Sequence, residues 1–188
     1  MIYITSDIHF CHDRDYVYKF RGFHSIEEHD KAIIKNWNSI IQPDDDVYIL
    51  GDIVLMNTWQ GIEYLKKLNG KIHIIRGNHD TDNRAQEYIA LPNVIEVVYA
   101  TMIKYKKCIF YLSHYPTITT NDIDTSPYLK KIINLYGHTH QKTKFYNDNP
   151  YMYCVCLDAH DNYPVSIEHI LEDIKNKREE QNQEGEIV

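Results

Sequence analysis

Five short apolar runs in this sequence end the same way, at side chains that can donate oxygen or nitrogen to a cation. They are Ile2–Thr5 before Ser6-Asp7-Ile8-His9, residues 47–50 before Gly51-Asp52, Lys71–Ile75 before Arg76-Gly77-Asn78-His79-Asp80, residues 108–112 before Ser113-His114, and Ile132–Tyr136 before Gly137-His138-Thr139-His140. Short apolar runs of this kind read as buried strands. In α/β sheets, ligands gather beyond the carboxyl ends of the strands. Laid side by side, the five ends bring together Asp7, His9, Asp52, Asn78, His79, His114, His138 and His140. Such a density of carboxylate, amide and imidazole donors predicts a two-metal site.

Bulk properties set the outer limits. A chain of 188 residues is long enough for one well-packed core and short for two. At 43% hydrophobic and 25% charged, its composition is that of an ordinary globular protein. The formal charge of −7 argues against a broad surface for duplex nucleic acid, which depends on clustered Lys and Arg; a nucleotide substrate stays compatible. Eleven histidines are many for this length, and His9, His79, His114, His138 and His140 all fall at strand ends. Cys11, Cys108, Cys154 and Cys156 follow neither a zinc-ribbon nor a disulfide spacing, so reduced thiols are expected. No signal sequence or bilayer-length apolar run is evident, which makes a cytoplasmic location without a membrane partner the expectation.

Asp7 and His9 stand at i and i+2, a spacing that in extended chain turns both side chains to one side. Residues 10–23, rich in Tyr, Phe and Arg, read as a rim loop. Ser25-Ile26-Glu27-Glu28 has the form of a capping box and opens a helix to about Ile41, with Ile26, Ile33, Ile34, Trp37, Ile40 and Ile41 at helical spacing. Asp44-Asp45-Asp46 lacks the spaced ligands of a calcium loop and reads as a solvated turn. A second helix, from Thr58 to Leu68, is expected to turn Trp59, Ile62, Leu65 and Leu68 inward and to stop at Asn69-Gly70. A third comes after residues 76–80 and runs to about Ala90. This β-α-β-α-β alternation signals a mainly parallel sheet. Beyond Val94 the runs 94–100, 102–105 and 108–112 have no helices between them and predict hairpins; 142–146 with 151–157 predict another. Residues 117–128 read as a second rim loop. A last helix spans 166–177, so that 1–177 are expected as a single domain and 178–188 as a flexible tail.

Taken in order, D-x-H at 7–9, G-D at 51–52, G-N-H-D at 77–80, a lone His114 after a strand and G-H-T-H at 137–140 resemble the calcineurin-like metallophosphoesterase superfamily, and the opening D-I-H-F-C-H at 7–12 with H-Y-P at 114–116 resembles its small single-domain bacterial and phage members. The resemblance implies an α/β fold, a four-layer α-β-β-α sandwich of two mixed sheets flanked by helices, with a dinuclear metal site at the C-terminal strand ends. It also implies that Asp7, His9 and His140 hold one metal, that Asn78, His114 and His138 hold the other, and that Asp52 bridges them. Two ions roughly 3.5–4 Å apart can share a hydroxide and clamp a phosphoryl oxygen during in-line attack. Nitrogen and oxygen donors without thiolate suit Mn²⁺ first, with Zn²⁺, Fe²⁺ and Ni²⁺ as alternatives.

Within that resemblance His79 is the residue to stabilise phosphoryl charge or protonate the leaving oxygen, and Asp80 orients its imidazole. Arg76 has two readings, a bidentate contact to phosphate or a pair with a carboxylate. His12 either lines the pocket as a phosphate contact or packs in the rim loop. His160 is expected to be structural, and His24, His29, His73 and His169 show no partner pattern. The implied function is metal-dependent hydrolysis of a phosphodiester, with monoesters also candidates, by attack of a metal-bridging hydroxide on a small or nucleotide-like substrate. Two readings compete with it. A retired enzyme serving as a protein-binding scaffold would have lost ligands that this chain keeps, and a nuclease would need a basic groove.

Overall fold

The protein is described here by a computed structural model covering residues 1–119 and 132–185. In chain order its elements are β1 (Ile2–Thr5), α1 (Asp15–Tyr18), α2 (Ile26–Ile40), β2 (Asp46–Leu50), α3 (Thr58–Leu65), β3 (Lys71–Ile75), α4 (Asp82–Ile89), β4 (Val94–Val98), β5 (Ala100–Tyr105), β6 (Cys108–Ser113), β7 (Ile132–Tyr136), β8 (Met152–Cys154), β9 (Val165–Ser166) and α5 (Ile167–Gly185). One sheet has the order β4-β3-β2-β1-β9 and the other β5-β6-β7-β8. In the first, β1 to β4 run parallel and β9 antiparallel; in the second, β5 is antiparallel to β6 and the rest are parallel. The architecture is therefore two mixed sheets flanked by helices, as expected.

Burial on both faces explains why the inner strands read as unbroken apolar runs rather than as alternation. On one face of the first sheet, Val47, Ile49, Ile72 and Ile74 pack against Ile33, Trp37 and Ile41 of the α2 region, Ile62 and Leu65 of α3, and Tyr88 of α4. On the other, Ile4, Leu50 and Ile75 meet Phe110, Leu112, Ile133 and Leu135 of the second sheet, and Ile167, Ile170 and Ile174 of α5 join that core. Helix α2 starts where its cap demands: the Ser25 hydroxyl accepts from Glu28 N at 3.2 Å, and the Glu28 carboxylate accepts from His24 N at 2.7 Å. The Asp44-Asp45-Asp46 turn carries no cluster of metal donors among the described residues.

Several expectations are corrected. Residues 94–98 form no hairpin with the 100–105 strand. They are the fourth parallel strand of the first sheet, and only β5 and β6 make the predicted hairpin. Trp59 points outward and is 76% exposed. Gly61 lies flat against Val54, so Gly61, Ile62 and Leu65 face inward, and Trp59 stands roughly 100° or more from the centre of that face at 100° per residue. The second predicted hairpin shrinks to one antiparallel bridge between Phe145 and Tyr153, with β8 pairing β7 instead. Helix α5 continues past Lys177 to Gly185. The rim loop at 117–128 lies outside the described residues beyond Thr119. Among the described residues no helix is long and apolar enough to cross a membrane.

Register is what positions the site. Thr5 pairs with Ile49, Leu50 with Ile75, and Ser113 with Tyr136, so the strands of each sheet finish level. A parallel bridge between Ser6 and Cys156 ties the two rows of ends together.

Candidate metal centre

Asp7, His9, Asp52, His138 and His140 all have φ between 48° and 68°. Left-handed backbone costs a non-glycine residue energy, and it persists where the surroundings over-determine it, which is characteristic of functional sites. Asp7 and His9 thus converge through left-handed turns, not through the extended spacing expected of i and i+2.

Two groups of donors result. In the first, Asp7, His9 and His140 present ligand atoms within 4.8 Å of one another. His9 Nε2 lies 3.7 Å and His140 Nε2 3.5 Å from Asp7 Oδ1. Three donors occupy the other oxygen of Asp7: Ser6 Oγ at 2.6 Å, His138 N at 2.8 Å and Cys156 Sγ at 3.2 Å. Asp7 Oδ1 and His9 Nε2, both buried, have no hydrogen-bond partner. His140 Nδ1 donates to Asp158 at 2.9 Å, which turns its Nε2 lone pair toward Asp7.

Asp52, His114 and His138 form the second group. His114 Nδ1 donates to Leu50 O at 2.7 Å, so its Nε2 carries a lone pair. That lone pair faces Asn78 Oδ1 at 3.0 Å and His138 Nδ1 at 3.2 Å. Asp52 Oδ2 is 3.6 Å from His114 Nε2 and 3.9 Å from His9 Nε2, which places one oxygen between the two groups. Its partner Oδ1 accepts from His79 N at 2.9 Å. Two buried polar atoms without a partner in the first group, and a cluster of nitrogen and oxygen donors in the second, fit a cation. So do the charges. Burial raises the Asp52 carboxyl above its ordinary range against the pull of His114, and burial pushes His9 down to about 3. Burial also works to raise Asp7, but the imidazoles of His9 and His140 hold it below the usual carboxylate range.

Comparison with known proteins identifies the family. A family model for calcineurin-like phosphoesterases matches residues 1–184. The chain belongs to the calcineurin-like phosphoesterase family. Among curated relatives, an uncharacterized protein of Methanocaldococcus jannaschii, MJ1445, is 46% identical over 81 residues, which are 42% of this chain and 46% of that protein. The gene 66 protein of Mycobacterium phage L5 is 38% identical over 82 residues, or 42% of this chain and 39% of the phage protein. The match therefore spans less than half the length of either relative. A crystal structure of AQ665, a protein of unknown function from Aquifex aeolicus, superposes with a TM-score of 0.67 at 23% identity, covering 92% of this chain and 98% of that one. It shares the fold.

The remaining predicted residues take more varied places. His79 stands over the second group, with Nε2 3.9 Å from Asp52 Oδ2 and a side chain 46% exposed. Asp80 does not touch the His79 imidazole. Its carboxylate instead accepts from Asp52 N at 2.8 Å, Gly77 N at 2.8 Å, Ile53 N at 3.3 Å and Tyr88 Oη at 3.0 Å, and so locks two loops together. Arg76 takes the carboxylate alternative, pairing with Asp82 at 2.8 Å while also donating to Asp80 O and Tyr99 Oη. Arg84 donates to His79 O at 2.5 Å, so two guanidiniums clamp consecutive carbonyls of the 79–80 turn. His12 is buried against the first group, with Nδ1 2.8 Å from His9 Nδ1. His160 is structural, donating through Nε2 to Cys154 O and stacked on Tyr153.

Sequence reasoning missed a buried network behind the first group. Arg21 donates to Asp158 through Nε at 3.0 Å and Nη2 at 2.9 Å, and also to the carbonyls of Asp7 and Ile8. His29, expected to lack a partner, sits between Arg21 and Asp30. His73 likewise bridges Asp46 and Glu96 across three strands.

Proposed function

We propose that this chain is a two-metal phosphodiesterase acting on a small or nucleotide-like ester. The observation that carries the reading is the position of Asp52 Oδ2 between His114 Nε2 of the second donor group and His9 Nε2 of the first, where His9 Nε2 and Asp7 Oδ1 are buried without a hydrogen-bond partner. Two divalent cations, Mn²⁺ first by donor type, would supply water activation and neutralisation of phosphoryl charge when bound there. The chain's own residues do the rest. Asp7, His9 and His140 would hold one cation and Asn78, His114 and His138 the other, while Asp52 fixes their separation. His79, exposed and adjacent to Asp52, would give a proton to the leaving oxygen. The Arg76 and Arg84 contacts keep its turn from drifting, which preserves the reacting geometry.

A diester is favoured over a monoester because Arg21, Arg76 and Arg84 are already committed. Arg21 is bound to Asp158, and Arg76 and Arg84 donate to backbone carbonyls, so these three are engaged within the chain and do not favour a second phosphate charge. The formal charge of −7 also disfavours a nucleic-acid duplex as substrate. The test is hydrolysis of bis-p-nitrophenyl phosphate and p-nitrophenyl phosphate by Mn²⁺-loaded protein. Turnover of the diester in preference is expected; metal-loaded protein inert on both, and on a nucleotide panel, would refute the reading.

A further inference from the structure

We propose that His12 is a positioning residue that fixes the tautomer of His9, accepting its Nδ1–H so that the Nε2 lone pair points into the first donor group. The inference rests on the metal-binding reading above. Two ring nitrogens 2.8 Å apart must share one proton between them. His9 Nε2 is buried among Asp7 Oδ1 and Asp52 Oδ2 without a hydrogen-bond partner, the position of a lone pair directed at a cation. The proton therefore sits on His9 Nδ1, and His12 Nδ1 accepts it. By exclusion the proton of a neutral His12 is on Nε2, where the Tyr16 hydroxyl stands 3.4 Å away.

The turn that delivers His12 is over-determined. His9 and Cys11 both take left-handed φ, 58° and 62°. The His12 amide closes on His9 O at 3.1 Å, and Asp30 Oδ2 from α2 anchors Cys11 N at 3.0 Å. The rings then stack at 5.1 Å with 16° between planes. Two strained residues and a distant anchor serve to fold one imidazole back onto another. The other ligand imidazoles with a resolved outer contact use a carboxylate, at His140, or a carbonyl, at His114. His9 alone among these three relies on a second histidine.

The test uses the full chain and the metal alone. Mn²⁺ titration of wild type is expected to fill two sites. His12→Leu, which strands a buried donor, should weaken one of them by about 10–100-fold and spare the other. In His12→Asn, Oδ1 can replace the accepting Nδ1 and should restore most of the lost affinity, a rescue that simple packing would not predict. Nitrogen-15 spectra of metal-free wild type should show His9 protonated at Nδ1, the tautomer that His12 would fix before any cation binds. Unchanged two-site binding in His12→Leu, no recovery in His12→Asn relative to Leu, or a His9 proton on Nε2 would each overturn the proposal. If His12→Leu does not fold, the Asn variant and the wild-type spectrum still decide it. Absence of Mn²⁺ binding in wild type would instead bring down the metal-dependent function itself.

Discussion

Asp158→Asn keeps the shape of a side chain and removes its charge, at a position where the structure makes the cost calculable. The carboxylate accepts from Arg21 Nε and Nη2 and from His140 Nδ1, at 3.0, 2.9 and 2.9 Å. Arg21 and Asp158 side chains are each only 1% exposed. Removing one partner of a buried pair strands the other charge and costs roughly 3–5 kcal/mol. Arg21 keeps its bonds to the carbonyls of Asp7 and Ile8, so the lower end, about 3 kcal/mol, is expected. For a domain of this size that loss lowers Tm by roughly 6–12 °C. Burial works to raise the Asp158 carboxyl, yet His140 and Arg21 outweigh it and hold it below the usual range. A depressed carboxyl stabilises the fold above its unfolded pKa of about 3.9, and that contribution drains away as pH falls below it. Asp158→Asn should therefore flatten the acid limb of the stability profile. It should also weaken cation binding at the Asp7, His9 and His140 group by about 10–100-fold, since His140 loses its orienting partner. Urea denaturation of metal-free protein across pH, with Mn²⁺ titration alongside, measures all three. A loss under about 1 kcal/mol with unchanged metal binding would refute the argument.

Other perturbations separate the parts of the site. His79→Asn should keep both metals and lower turnover of an aryl diester by roughly 10²–10⁴; loss of metal in that variant would contradict its placement outside the ligand set. Asp52→Asn should weaken both cations together in a metal titration, and loss of one alone would deny the bridge. Gly77→Ala should abolish metal binding, because the added Cβ would collide with the Asp52 carboxylate and lie 2.7 Å from Asp52 N. Gly137→Ala should do the same through Asp7 Oδ2 and Ser6 Oγ, each 2.5 Å from the new carbon; full metal affinity in either variant would show that the loops can give way.

Much of the candidate site is legible in the chain because each candidate ligand comes directly after an apolar strand, and the parallel register needs only level strand ends to assemble them. The alternation of strands and helices up to β3 is legible for the same reason. The features that escape the sequence depend on long-range contact. Arg21 and Asp158 are 137 residues apart, and neither stands in a motif. The family resemblance assigns Asp80 to the His79 ring, whereas the fold turns it back on the amides of Asp52, Ile53 and Gly77. The passage from β4 to β5 changes sheets across Tyr99 alone, a step with no local signature, so the pattern there predicts a hairpin. Helical spacing misplaces Trp59 because it fixes an angle, while Gly61, by its close approach to Val54, decides which angle faces the core.

Each donor group straddles the sandwich. Asp7 and His9 come after β1 on one sheet while His140 comes after β7 on the other, and Asp52 and Asn78 face His114 and His138 in the same manner. Any cation seated in either group is thus a rivet through both halves of the molecule. Chelation would then do more than silence chemistry: it would let the two slabs slip at their upper rim, and the ion supply of the surroundings would govern how long the folded chain endures.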